Sequence, residues 1–147
     1  MSFFKTFNIS ASGLTAQRLR MDIIAQNIAN VNTTRTEDGT PYRRKTVVFE
    51  ERGEVPFSQY LSGASRQQYL TGGGVRVSAI VEDPSPFKEV YDPSNPDADE
   101  NGIVRMPNVD IVTEMVNMIS ATRAYEANVT ALNASKSMAS KALEIGT

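Results

Sequence analysis

The chain has 147 residues, 40% hydrophobic content and a formal net charge of -2, so it is sized for one ordinary domain with a modest core. The charge is spread as +3 over residues 1–35, -4 over 36–108 and -1 over 109–147, which gives no basic surface for nucleic acid or an acidic membrane. There is no Cys and no His, which excludes disulfides, thiol nucleophiles, thiolate or imidazole metal sites and every triad that uses imidazole as base.

The first element is a helix. Met1-Ser2-Phe3-Phe4-Lys5 lacks the basic region, apolar run and cleavage site of a secretory signal. From Phe3, a 4-3 spacing runs through Phe7, Ser10, Leu14, Gln17, Met21, Ile24, Ile28 and Val31. Seven of these nine positions are apolar, which predicts an amphipathic helix able to pair with another. Gly13 weakens it by about 1 kcal/mol relative to Ala. The end of the helix is rich in amides. Asn27 and Asn30 lie on one face, where a buried amide can fix register between helices, and Asn32 suits a helix terminus. Plain helix termination competes with register fixing at Asn27 and Asn32.

Residues 33–41 are polar, with a turn at Asp38-Gly39, and are expected to form a flexible loop. The centre reads as short strands. Arg43 to Glu50 ends in β-formers, and its three basic residues are expected on a solvated strand edge. Gly72-Gly73-Gly74 has no Lys-Ser/Thr pair after it, so it is a hinge or turn rather than a phosphate loop. Val75 to Val81, Phe87 to Tyr91 and Ile103 to Met106 are further strand candidates. Asp97-Ala98-Asp99-Glu100-Asn101-Gly102 matches the first half of a calcium loop, but the twelfth position is Asn108 and Pro93 and Pro96 exclude an entering helix. A solvated acidic turn is the expectation, with no metal and no cofactor. Glu50, Glu51, Glu54, Glu82 and Asp83 do not converge on a cleft by any sequence signal, so no enzyme activity is expected.

The last element is the longest. Asn108 reads as an N-cap, Asp110 sits in the first turn, and no Pro or Gly follows until Gly146. Such a helix runs roughly 55 Å. Its bulky stripe is Ile111, Met115, Met118, Thr122, Tyr125, Val129, Leu132, Lys136, Ala139 and Leu143, with only Thr122 and Lys136 polar. That is a coiled-coil seam. A second stripe of small residues, Ser120, Ala124, Ala127, Ala131 and Ala134, lies on nearly the opposite side and leaves room for another backbone. Ala is also simply the best helix former.

The expected fold is mainly α, with long N- and C-terminal helices pairing as a coiled coil around a small irregular β-rich central segment. The boundaries are 1–35 for the N-terminal axial helix and Asn-rich turn, 36–107 for the centre, and 108–147 for the C-terminal axial helix. The residues expected to make assembly contacts are Leu14, Met21, Ile24, Asn27, Ile28, Asn30 and Val31 on the first helix. On the last they are Ile111, Met115, Met118, Tyr125, Ala127, Val129, Ala131, Leu132 and Leu143.

Ile9-Ser10-Ala11-Ser12-Gly13-Leu14, Arg18, Met21 to Ala25 and Asn27-Ile28-Ala29-Asn30-Val31-Asn32-Thr33 resemble the N-terminal signature of bacterial flagellar rod and hook proteins. Pro107 to Asp110, Glu114-Met115-Val116 and Arg123 to Asn128 are similar to that family's C-terminal signature. The short chain and the stretch Tyr91 to Asp99 resemble the proximal-rod branch, with departures at Gln26, Asn95 and Ile103. The resemblance implies a structural subunit of the basal-body rod, the axle that carries torque across the cell envelope. It implies as partners other rod proteins, copies of itself in a helical assembly, and the flagellar type III export apparatus. Nucleic acid and membrane insertion are not expected. A generic coiled-coil adaptor is the alternative reading.

Overall fold

A computed structural model describes residues 3–53 and 73–145. Its order is α1 (Phe3–Ala29), β1 (Lys45–Glu51), β2 (Val75–Glu82), β3 (Lys88–Tyr91), β4 (Ile103–Met106) and α2 (Ile111–Ile145). The two long helices lie against each other and run antiparallel. Asn27 stands opposite Glu114, Met21 opposite Thr122, and Gly13 opposite Asn128. Extended along the pair, that register leaves about the last two turns of α2 projecting past the start of α1.

α1 ends through its own amides. Asn30 Nδ2 donates to Gln26 O at 2.9 Å, and Thr33 Oγ1 donates to Asn30 Oδ1 at 3.2 Å. Termination is therefore the role of Asn30 here, and Asn32 is exposed. The loop that follows is closed rather than loose. Thr36 N donates to Thr40 O, Gly39 N to Thr36 O and Tyr42 N to Thr33 O, all within 3.0 Å. Gly39 sits at φ 72°, where a side chain would be strained. The expected flexible loop is thus a hydrogen-bonded turn.

The centre holds two antiparallel ribbons, β1–β2 and β3–β4. In the first, Lys45 pairs with Glu82 and Glu51 with Val75, with a bulge between Val48 and Phe49. This ribbon lies against α1. Gly74, at φ 106°, immediately precedes β2 at a point where a Cβ would run into the Ser12 side chain on α1, and Ser12 Oγ accepts the Val75 N–H at 3.1 Å. Close approach to a helix requires that glycine. Gly73 and Gly74 continue the pairing beyond Val75 rather than forming a turn, Gly74 O accepting from Arg52 N and Gly73 N donating to Arg52 O. Gly72 lies outside the described residues.

In the second ribbon Lys88 pairs with Met106 and Tyr91 with Ile103. It is tied to the remainder by Lys88 Nζ donating to Val109 O at 2.8 Å and by Thr34 Oγ1 donating to Asp97 Oδ2 at 2.7 Å. In the acidic turn the carboxylates serve the backbone. Asp99 Oδ1 accepts the N–H groups of Asn101 and Ile103 at 2.9 and 3.0 Å.

The C-terminal helix starts later than the sequence suggests. Asp110 is the cap, its Oδ2 accepting Thr113 N at 3.3 Å and Thr113 Oγ1 at 2.6 Å, with Glu114 N bonding Asp110 O. Asn108 is drawn away from that role because its amide is engaged elsewhere. The buried face of α2 is also rotated from the expected seam. Met118, Tyr125, Leu132 and Ala139 lie on it half-buried, but its other column is Glu114, Ala121, Asn128 and Ser135. Ile111, Met115 and Leu143 are instead 45%, 56% and 76% exposed. The expected seam and the observed face share Met118, Thr122, Tyr125, Val129, Leu132 and Ala139, all half-buried, and part company at Ile111, Met115 and Leu143. The true second column is small or polar, because α1 comes close enough for Gly13 to touch Asn128.

Candidate functional site

The most constrained point of the molecule is Asn27, in the last two turns of α1 and 0% exposed. A buried amide is costly unless all its hydrogen-bonding capacity is met, and here it is. Nδ2 donates to Lys45 O at 2.8 Å and to Glu114 Oε2 at 2.9 Å. Oδ1 accepts from Tyr42 OH and from Lys45 N, both at 2.9 Å. One side chain therefore joins α1, the entry to β1 and the first turn of α2.

Glu114 is 1% exposed, and a carboxylate so placed needs charge and hydrogen-bond compensation. Arg44 supplies it, with Nε and an Nη donating to Glu114 Oε1 at 2.9 and 2.7 Å. Its other Nη reaches Asp83 Oδ2 at 3.2 Å, and Asn117 Nδ2 approaches Glu114 Oε1 at 3.3 Å. Asn108 closes the arrangement, accepting Arg44 N at 2.8 Å and donating to Asp83 O and Ser85 O at 3.1 and 3.2 Å.

The charges respond to this setting. Burial raises the Tyr42 pKa, and the negative charges of Glu114 and Glu82 raise it further. For Arg44 burial lowers the pKa, but the hydrogen bonds and charge of Glu114 and Asp83 outweigh it, so the guanidinium stays charged. Asp83 is held below the ordinary carboxylate range, first by the Ser85 hydroxyl and N–H and then by Arg44. Asp110 is lowered chiefly by the Thr113 hydroxyl and by helix N–H groups.

The basic run 43–45 is thus not a solvated edge. Arg43 lies over the Phe87 ring at 4.5 Å and donates to Asp83 O at 3.0 Å, Arg44 holds Glu114, and Lys45 lies 5.7 Å from the Tyr42 ring centre. These residues are half-buried because the entry to β1 packs against Asn27 of α1 and Glu114 of α2.

Of the residues expected to make contacts, Ile24 and Asn27 are buried, while Leu14, Met21, Ile28, Asn30 and Val31 are half-buried. On α2, Met118, Tyr125, Val129 and Leu132 are half-buried, whereas Ile111, Met115, Ala127, Ala131 and Leu143 are exposed. Met21 does meet the seam, since Thr122 Oγ1 lies 3.6 Å from its sulfur. Sequence reasoning missed Tyr42, Arg44, Glu114 and Asn128. A signal existed for α2: Glu114, Ala121, Asn128 and Ser135 recur every seven residues. It is invisible to a search for apolar side chains.

The outer face of α2 carries a bare apolar stripe of Ile111, Val112, Met115, Val116 and Ile119, each 45% to 68% exposed. The arrangement as a whole binds surfaces together and offers another surface. Among the described residues no group of three or more acidic side chains is placed to hold a metal.

Comparison with known proteins gives concordant results. Residues 7–35 match the family described as flagella basal body rod protein, and residues 100–145 match the flagellar basal body rod FlgEFG protein C-terminal family. The chain is 51% identical to the flagellar basal-body rod protein FlgC of Bacillus subtilis, over 99% of each chain. It is 51% identical to that of Borreliella burgdorferi, over 99% of this chain and 98% of the relative. To that of Salmonella typhimurium it is 44% identical, over 99% of each.

Proposed function

The chain belongs to the FlgC-type family of flagellar basal-body rod proteins, and from that premise we propose how it builds the rod. It is a structural subunit of the flagellar basal body. Copies and other rod proteins polymerise through the terminal helices, which pair as a coiled coil in the assembled axle, and the axle transmits motor torque across the envelope. The subunit reaches the rod through the flagellar type III export apparatus without a cleaved signal. No helix among the described residues is long and apolar enough to cross a membrane. The observation that carries the reading is identity along the whole chain rather than in one segment.

The physical basis is contact rather than chemistry. Unlike surfaces that meet with a rotation that does not close generate an open helical polymer. A bare apolar stripe on a helix already paired on its other side supplies one such surface. The test is complementation of motility in the source bacterium with its own copy deleted. The wild-type chain is expected to restore swimming. Leu132→Asp is expected to abolish rod assembly and swimming while the protein is still made. Normal swimming with Leu132→Asp would remove the terminal-helix assignment, and failure of the wild-type chain would remove the rod reading itself.

A further inference from the structure

We propose that the apolar stripe Ile111–Ile119 of one subunit docks in the groove between α1 and β1 of a second copy of this chain. The inference rests on the rod-subunit reading and names the partner surface. At about 100° per residue, Ile111, Val112, Met115, Val116 and Ile119 share one side of α2 and are exposed in the single chain. The same side then turns polar, with Arg123, Glu126, Thr130 and Asn133 all exposed. The patch is therefore local, on the order of a few hundred Å². A stable pair of proteins needs roughly 800 Å² from each. The stripe suits one contact among several in a polymer and not a dimer in dilute solution.

The groove has a volume of about 280 Å³ and is lined by Arg20, Ile23, Ile24, Val47, Phe49 and Asn117, among others. It offers aliphatic and aromatic walls together with the charged side chains of Arg20, Arg44, Lys45 and Glu114, of which Arg44 and Glu114 are paired with each other. Asn117 belongs to the side of α2 nearly opposite the stripe, since two residues along a helix turn about 200° from Met115. One chain thus presents stripe and groove on opposite sides. The two cannot meet within a chain, and their union between copies is heterologous and repeats. Charge is complementary as well. Arg20 forms no ion pair with a described residue, and neither does the Glu126 carboxylate. Glu126 lies about three turns beyond Met115, nearly in line with it.

The chain contains no Cys, so introduced cysteines report without background. Val47→Cys with Val116→Cys, produced in the source bacterium lacking its own copy, is to be oxidised in isolated basal bodies. Disulfide-linked dimers and higher multimers of this chain are expected from the double variant and from neither single variant. Thr46→Cys replaces Val47→Cys if the latter fails to enter basal bodies. Linkage by Val116→Cys alone would show the stripe pairing with its own kind, and linkage only to a protein of different mass would assign another partner. Either result overturns the proposal, as does absence of linkage in motile cells. Absence of the wild-type chain from basal bodies would instead overturn the rod reading. As a second measure, Arg20→Glu and Glu126→Arg should each abolish the linkage, and the two together should restore it. Loss with no restoration would remove the charge pairing.

Discussion

The two ends of the helix pair are held by different physics. At the end where α1 stops and α2 begins, Asn27, Tyr42, Arg44, Asn108 and Glu114 form a buried network in which the polar atoms of Asn27 are all partnered. At the other end, Gly13 faces Asn128, Ser10 and Ser135 are buried, and Gln17 Oε1 is buried without a partner among the described residues. The first end fixes register and couples the helices to the centre. The second relies on close approach of small residues, and α2 then continues past α1 with Leu143 76% exposed. A subunit built this way keeps one rigid junction and leaves long helical surface for neighbours. Buried hydrogen-bond networks are specific but demanding, whereas small-residue contacts are cheap to make and to remodel.

The largest way to break this contrast is at Arg44. Arg44→Ala leaves Glu114 buried with only the Asn27 and Asn117 amides. Removing one partner of a buried pair costs about 3–5 kcal/mol. Urea unfolding followed by circular dichroism is expected to show a loss in that range. A change under about 1 kcal/mol would mean the junction is not a stability centre. The paired variant Arg44→Met with Glu114→Leu should recover much of the loss, because an apolar pair leaves no charge stranded. Asn27→Ala comes next. It strands Tyr42 OH and the Lys45 N–H and C=O, and a loss of about 2–3 kcal/mol is expected, since a stranded buried polar group costs about 1–3 kcal/mol. Native-state hydrogen exchange should then show faster opening at Lys45 than at α2 residues beyond Leu132.

This junction was only partly legible in the sequence. The two helices, the four strands and the amide-rich end of α1 could be read, because periodicity and turn residues are local signals. Asn27 stood out as a register-fixing candidate. Its partners did not, since Arg44 and Glu114 lie 70 residues apart and nothing local marks either as buried. Arg44 within a basic run followed by Glu50 and Glu51 looks like solvent-facing charge. Glu114 in the first turn of a helix looks like a dipole partner. The rotated face of α2 failed for a related reason: bulky side chains were taken to mark the contact, whereas a contact around Gly13 selects for small ones. The apolar residues so displaced, Ile111 and Met115, are the ones left bare on the outside.

Acid should act at the junction end and not at the far end. Asp83 and Asp110 have folded pKa values below those of an unfolded chain. Each therefore contributes stability that is complete above the ordinary carboxylate value and is lost as pH falls through the lower folded value. The thermal midpoint is expected to be flat near neutrality and to decline in acid. Asp110→Asn should remove part of the acid decline, with a smaller effect at neutral pH than either junction variant. Because Asp110 is exposed, added salt should shrink its share further.

The smallest expected effect sharpens the far end. An Ala Cβ at position 13 would lie 2.7 Å from Asn128 Oδ1, so the Asn128 side chain must turn away and give up its 2.8 Å bond to Ala124 O. That loss, about 1 kcal/mol, offsets the gain of about 1 kcal/mol from replacing Gly inside a helix. Gly13→Ala alone should therefore change stability little. In an Asn128→Ala background the clash is gone and only the helix gain remains, so Gly13→Ala should stabilise by about 1 kcal/mol. The double-mutant cycle isolates the coupling between the two sites. Strict additivity would show that Gly13 and Asn128 do not touch, and the far end would then be held by its half-buried side chains rather than by close approach of the helices. If the coupling is found, the cost of a larger residue at position 13 falls on helix spacing. Gly13→Leu should then disturb rod assembly in cells well before it unfolds the junction, because Asn27, Arg44 and Glu114 lie at the opposite end of the pair and keep their own hydrogen bonds.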